Sequence, residues 1–314
     1  MTAVSTPANS PLHARRRLRL PRSILAFPAW FWFLAFFAAP LGLVVFNSFG
    51  SKVPQSVGNV SMASPSLGRY REALTGTFFS VFETTLKIAV LGTVLCLVIG
   101  FPVAYWLATR ASARLKGVML GLVIIPFWTN FLIRTLSWTI VLSPEGYLSH
   151  QLQSWGILGG PIHLLATKTA VQIGVVYNYL PLMIFPLFVA LDRLDPSLRE
   201  ASKDLGATPG RTFLQVTGPL AMPGIIAGLL LVYIPLAGDY LTAKILGKAQ
   251  GNMAGAFIAS QVIDAQNLPA GAAMAVILIL LILGTILAVG GIGLAIAKMA
   301  QIRRSVYVET GDSI

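Results

Sequence analysis

Four groups of polar residues stand inside stretches that are otherwise apolar, and their side chains could act on a solute there. Glu83 and Lys87 are one helical turn apart, in the order that favours an ion pair. Asn130 and Arg134 share that spacing and would project from one face of a single helix. Tyr177, Asn178 and Tyr179 are consecutive and precede Pro181, while Asp239 and Tyr240 close another apolar run. An ionised side chain in such surroundings costs ~2.5–3.5 kcal/mol on insertion scales, so it should face an interhelical or aqueous space. For Arg134 two readings stand, a partner for an anionic solute group and a tie to another helix. Tyr177, Asn178 and Tyr179 either border a solute path, beside a helix that Pro181 and Pro186 weaken, or pack in a core. Glu83 and Lys87, near an outer helix end, are expected to snorkel.

Other chemistries drop out. Cys96 is the single cysteine, so no intrachain disulfide can form, and His13, His150 and His163 are too scattered for a Cys/His zinc cluster. The chain has no Gly-x-x-x-x-Gly-Lys-Ser/Thr phosphate loop and no plausible nucleophile–base pair, and is expected to catalyse no reaction and to bind no cofactor itself.

The elements that must position these residues follow from the spacing of charges. Of the 314 residues 55% are hydrophobic and 11% charged, far from the ~25% charge of a soluble domain. Uncharged runs of 29, 22, 23, 27 and 33 residues follow Arg22, Lys87, Lys168, Arg211 and Asp264. Each is long enough for a spanning helix, which needs ~20 residues. A sixth segment is interrupted only by Arg134. The reading is an all-α membrane protein with six transmembrane helices over about 24–49, 80–109, 118–141, 169–191, 220–238 and 270–297. These runs lack the alternation of membrane barrel strands.

Fifteen Lys and Arg residues fall on the side of the N-terminus and six on the other, so both termini are expected to be cytoplasmic. The net charge of +12 then reports topology, and no nucleic-acid partner is expected. The domain reading is a basic tail 1–23, a six-span membrane domain 24–298 and a second tail 299–314. The first apolar run is too long for a secretory h-region of ~7–15 residues and is taken as an anchor.

The 192–218 connection carries helix signals. Asp195 can cap a helix starting at Pro196, and Gly206 can end it in the left-handed conformation. Thr208 and Pro209 start a second short helix, which should end where Pro219 opens the fifth span. Two capped helices joined by a glycine turn make a stiff knob fit for docking.

This loop reads Glu200-Ala201-Ser202, then Gly206, then Val216-Thr217-Gly218-Pro219. It resembles the signature of the inner-membrane permease subunits of bacterial binding-protein-dependent ABC importers, Glu-Ala-Ala, three residues, Gly, nine residues, Ile-x-Leu-Pro. Ser202, Val216 and Gly218 depart from it, with all spacings kept. Over about 21–304 the chain is similar to the first permease of spermidine/putrescine-type systems. The matching blocks run from Pro126 to Thr135, Tyr177 to Pro181, Leu191 to Leu198 and Ile234 to Thr242. Lys244 and Lys248 add positive charge where that family has mostly small, neutral or acidic residues, which is unfavourable for a cationic cargo.

The resemblance implies a bacterial inner-membrane protein that imports a small polar solute, with polyamines the first cargo and opines, amino-acid-like compounds and organophosphonates the others. It implies a second six-span permease, an extracytoplasmic solute-binding protein, and a cytoplasmic ABC ATPase dimer holding the ATP and Mg2+. The loop would be the coupling element, through Glu200, Ala201, Ser202, Gly206 and Ala207. Asn130, Arg134, Tyr177, Asn178, Tyr179, Asp239 and Tyr240 are the candidate solute path. Segments 50–79 and 142–168, with Trp155 and Pro161, would meet the binding protein outside. The rival reading is an ion-coupled secondary transporter acting alone, relaying charge through Glu83, Lys87, Arg134 and Asp239; no internal repeat supports it. Softer signals are the glycines Gly224 and Gly228 of span five and Gly284, Gly290, Gly291 and Gly293 of span six, which would allow close helix approach.

Overall fold

The computed structural model describes residues 22–53, 60–157, 159–248 and 251–311. Most of the basic tail 1–23 therefore lies outside the described residues. Long apolar sequences in lipid must satisfy their own backbone, and the chain does so as helices. Among the described residues five helices are long and apolar enough to cross a membrane: Phe27–Asn47, Phe78–Thr109, Lys168–Asp192, Pro209–Ala237 and Leu268–Gly291. A bent pair supplies a sixth span if its halves are counted together.

The N-terminal unit ends at Leu43. Its helix α1 (Arg22–Phe33) passes through a π-helical turn, Leu34–Ala38, into α2 (Ala39–Asn47). Trp32 stacks on Phe36 with centroids 4.2 Å apart, and Phe33 on Phe37 at 5.1 Å, as four-residue spacing allows.

From Val44 onward the chain forms a second unit. Two short antiparallel strands, β1 (Ser51–Lys52) and β2 (Val60–Ser61), precede α3 (Gly68–Thr75). Three long helices form the interior: α4 (Thr77–Thr109), α8 (Lys168–Asp192) and α11 (Gly218–Ala237). Between the first two come α5 (Ala113–Trp128), α6 (Phe131–Val141) and α7 (Tyr147–Ser154). The loop helices α9 (Pro196–Asp204) and α10 (Pro209–Thr212) lie between α8 and α11, and α12 (Ala254–Ala259) and α13 (Leu268–Gly311) complete the chain.

Three expectations are corrected. The predicted span 118–141 is not one helix: α5 and α6 meet at 93°. Pro126 weakens the last turn of α5, Thr129 is extended at ψ 147°, and Asn130 caps α6 by accepting from the Leu132 N–H at 2.8 Å. Asn130 and Arg134 therefore do not share a helix face. Conversely, the fourth span is unbroken although it contains Pro181 and Pro186. Gly224 and Gly228 of α11 bring that helix close to this stretch, because a Cβ on Gly224 would strike Ala190 and the Pro186 carbonyl, and one on Gly228 would lie 2.7 Å from Met183 Sδ. Gly284, Gly290 and Gly291, by contrast, have nothing within 4 Å of a built Cβ, and the side-chain surroundings of Gly293 lie outside the described residues.

The third correction concerns Pro219, which opens no new helix. The chain is helical from Pro209 to Ala237, with a π-helical turn at Phe213–Thr217. The Gly218 N–H reaches back to the Phe213 carbonyl, and a side chain at Gly218 would sit 3.1 Å from that oxygen. The departure from leucine in the signature thus relieves a tight contact, although the equivalent position of two other π-helical turns is an alanine, Ala39 and Ala265. Past the predicted end of the last span, α13 continues to Gly311 through most of the expected 299–314 tail.

Candidate functional site

The 192–218 loop folds as its caps dictate. Asp195 Oδ1 accepts from the Ser197 N–H at 2.9 Å, and that bond holds the carboxyl below its usual range. Pro196 follows as the first residue of α9. At the other end Gly206 takes φ +78°, its N–H donates to the Lys203 carbonyl at 2.8 Å, and the Ala207 N–H donates to Ser202 O at 3.1 Å. The last carbonyls of α9 are thereby satisfied. Thr208 caps α10, accepting from the Arg211 N–H at 3.4 Å. Ser202 Oγ and Thr212 Oγ1 are 3.0 Å apart and fasten α9 to α10.

Of the coupling candidates Glu200, Ala201 and Gly206 are exposed, while Ser202 and Ala207 are half-buried. Sequence reasoning missed three exposed leucines, Leu198, Leu205 and Leu214. The seven-residue spacing of the first two, one helix face, was the available signal. It also missed Phe213, whose ring meets Phe101 of α4 edge-on at 5.3 Å and anchors the loop. Another missed contact is Lys116 Nζ to Asp192 Oδ1 at 2.6 Å, where α8 hands over to the loop.

Deeper in, polar candidates form one chain of hydrogen bonds. Arg134 is 9% exposed; its Nε donates to Asn178 Oδ1 at 2.9 Å and its Nη1 to the Pro126 carbonyl at 2.6 Å. Its guanidinium carbon lies 5.2 Å from the Phe127 ring centre and 5.5 Å from that of Phe131. Among the described residues no carboxylate comes within 4.0 Å of it. Asn178 Nδ2 donates to Thr135 Oγ1 at 3.2 Å and to Thr242 Oγ1 at 3.4 Å. Thr242 Oγ1 donates to Asp239 Oδ2 at 2.6 Å, the Thr242 N–H to Asp239 Oδ1 at 3.0 Å, and Tyr179 OH to Asp239 Oδ2 at 3.2 Å. Gly174 permits the approach, since a Cβ there would meet Leu246 Cδ1 and, at 2.9 Å, Thr242 Cγ2. The network joins α6, α8 and the segment that follows α11.

Arg134, Asn178, Tyr179 and Asp239 are thus brought together and buried. Tyr177 and Tyr240 are exposed, the former edge-on to Trp138 at 5.3 Å, and Asn130 is spent on its cap. The four charges of the rival relay are not assembled. Glu83 and Lys87 pair with each other at 2.6 Å on an exposed face, whereas Arg134 and Asp239 are bonded to neutral groups.

Comparison with known proteins agrees with this architecture. Residues 100–298 match the family model of the binding-protein-dependent transport system inner membrane component. The chain is 37% identical over 247 residues to the spermidine/putrescine transport system permease protein PotB of Escherichia coli (strain K12), covering 79% of this chain and 88% of that protein. Against PotB of Haemophilus influenzae the identity is 36% over 245 residues, covering 78% and 84%. The inner membrane ABC transporter permease protein YdcU of E. coli (strain K12) is 32% identical over 230 residues, covering 69% and 72%. Among solved structures, a bacterial ABC transporter involved in import of the acidic polysaccharide alginate shares the fold, with a TM-score of 0.69 at 14% identity, over 86% of this chain and 94% of that one. With a family model covering well over half the chain, relatives at this identity and apolar helices enough for repeated crossing, the chain belongs to the binding-protein-dependent inner-membrane components and is a multi-pass permease of an ABC importer in the bacterial inner membrane.

Proposed function

We propose that this permease imports a polyamine or a related small polar solute, with both termini cytoplasmic. An external binding protein delivers the cargo to this chain and a second six-span permease, and a separate ATPase dimer carries the ATP and Mg2+ and docks on the 192–218 loop. The supporting observation for the coupling role is α9 itself, a short helix capped at both ends, exposed on Glu200 and Leu198, and braced against the root of α11 through Ser202 and Thr212. A displacement of such a helix is passed to two long spans, not absorbed by a slack tether. Support for the cargo comes from the relatives named for spermidine and putrescine.

The test is reconstitution of the permease with a cognate ATPase, second permease and binding protein. Spermidine- or putrescine-loaded binding protein should stimulate ATP hydrolysis, and liposomes should accumulate the labelled amine. Stimulation by the binding protein with no polyamine response removes the cargo and keeps the importer. Uptake by the permease alone, driven by an ion gradient, removes the importer mechanism.

A further inference from the structure

Helix α5 is 16 residues long and apolar, and none of its residues is buried. Val123 at its middle packs against the core from a half-buried position, and polar contacts of the same construction hold its two ends to α8. At the first turn of α5, Lys116 Nζ donates to the Ala108 carbonyl in the last turn of α4 at 3.2 Å and to Asp192 Oδ1 of α8 at 2.6 Å. Just beyond its last turn, Arg134 Nη1 donates to the Pro126 carbonyl of α5 at 2.6 Å, and Arg134 Nε to Asn178 Oδ1 of α8 at 2.9 Å. In both a cation that follows a helix end reaches a carbonyl eight residues back, where the helix dipole favours positive charge, and an acceptor on α8. Asn178 and Asp192 are 14 residues apart, which places them on one face of α8, ~21 Å apart along its axis.

We infer that α5 is a strut held to α8 by two cationic clamps, Lys116–Asp192 and Arg134–Asn178, which carry motion of the coupling loop to the α5–α6 break. Asp192 is the last residue of α8, three residues ahead of the Asp195 cap, so whatever shifts α9 acts directly on the first clamp. Helices seated by fully buried, interdigitated side chains slide only with repacking, whereas α5, with half-buried contacts such as Val123 and a polar contact at each end, is freer to pivot. The 93° break, with Asn130 capping the next helix, is where that pivot changes the course of the chain. Arg134 and Lys116 act here as positioning residues.

The inference is tested on the assembled complex with Cys96 replaced by alanine and spin labels at the exposed positions Leu122 of α5 and Val189 of α8. A control pair at Val98 of α4 and Val189 reports the helices that pack directly. Lys116→Met and Arg134→Met should each broaden the α5–α8 distance distribution, the double variant most, with the control pair unchanged. Should Arg134→Met not assemble, Lys116→Met decides by itself. Unchanged widths in the clamp variants overturn the inference and leave α5 held by the neighbouring subunit.

The force-carrying part rests on the importer reading and has its own arm. Lys116→Asp and Asp192→Lys should each lower stimulation of ATPase by the loaded binding protein about 5-fold to 150-fold, the range of typical coupling energies. The two together should restore it in part, since the exchanged pair regains the ion contact but not the bond to the Ala108 carbonyl. Single variants with normal stimulation, or a swap no better than either single, refute transmission through the clamp, whereas no stimulation of the unaltered complex would instead remove the importer reading.

Discussion

Gly206 and Gly210 make a controlled pair in which only the backbone differs. Neither has any atom within 4 Å of a built Cβ, so alanine at either position clashes with nothing. Gly206, however, holds φ +78°, while Gly210 lies within helical α10. An L-residue in the left-handed region costs roughly 1–2 kcal/mol. That is a factor of about 5–30 in the population of the closed turn. Alanine for a helical glycine instead gains up to ~1 kcal/mol. Gly206→Ala should therefore open the Ala207-to-Ser202 bond and speed hydrogen exchange of the Ala207 amide, with a parallel loss of ATPase stimulation. Gly206→Asn should lose less, since asparagine tolerates this conformation, and Gly206→Val more, because its branched side chain is stiffer. Gly210→Ala should behave as wild type. Exchange and stimulation that are the same in Gly206→Ala and Gly210→Ala would refute the claim that the turn holds the coupling helix.

Ser202→Ala removes the 3.0 Å contact with Thr212 and should cost ~0.5–1.5 kcal/mol of local stability, seen as faster exchange across α9, with Ser202→Ala/Thr212→Val little worse than either single variant. Asp195→Ala should fray the start of α9; because the carboxyl lies below its usual range when folded, the cap operates above the unfolded pKa and fails as pH falls through the folded one, so α9 protection should drop in acid only in wild type. Gly224→Ala drives a methyl into Ala190 and to 2.7 Å from the Pro186 carbonyl, an overpacking cost of ~1–3 kcal/mol that should lower the melting temperature of the complex, whereas Gly284→Ala should not. With Cys96 replaced, cysteines at Ser112 and Ser202 should be shielded from an impermeant thiol reagent in intact cells and one at Ser154 labelled; the reverse pattern inverts the orientation.

Local signals were legible in the sequence and distant pairings were not. The caps Asp195 and Thr208 and the Gly206 stop could be named because each acts on atoms two to four residues away. The break at Thr129 was hidden because Pro126 alone does not decide it: Pro181 and Pro186 reside in an unbroken helix. Gly224 and Gly228 bring α11 against the α8 prolines while α5 has no buried residue, but Pro28 also lies in an exposed, unbroken α1, so neither proline nor neighbour alone marks the break. Lys116 and Asp192 are 76 residues apart, and nothing near either residue marks the other. Apolar content and charge spacing, by contrast, identified membrane crossing because the bilayer acts on composition directly.

The buried network explains why an amide suits position 178 better than a carboxylate or an apolar side chain. Arg134 has only donors to offer, so the oxygen of Asn178 must face it. The nitrogen must then face Thr135 and Thr242, and Thr242 can accept from it while giving its own proton to Asp239. Asn178 thus stands between a buried cation and a buried carboxylate and supplies a donor to one side and an acceptor to the other. An ionised aspartate would satisfy Arg134 but leave Thr135 and Thr242 without their donor, and it would set a second negative charge beside Asp239. Leucine would strand a guanidinium whose remaining polar partner is a single carbonyl, the costly case of a buried charge deprived of its partner. Because the opposite charges are bridged by dipoles and not paired, the link between α6, α8 and the segment after α11 can lengthen or shift by exchanging hydrogen bonds, without breaking a desolvated ion pair. A transporter whose helices must rearrange in every cycle is served by a seam of that kind.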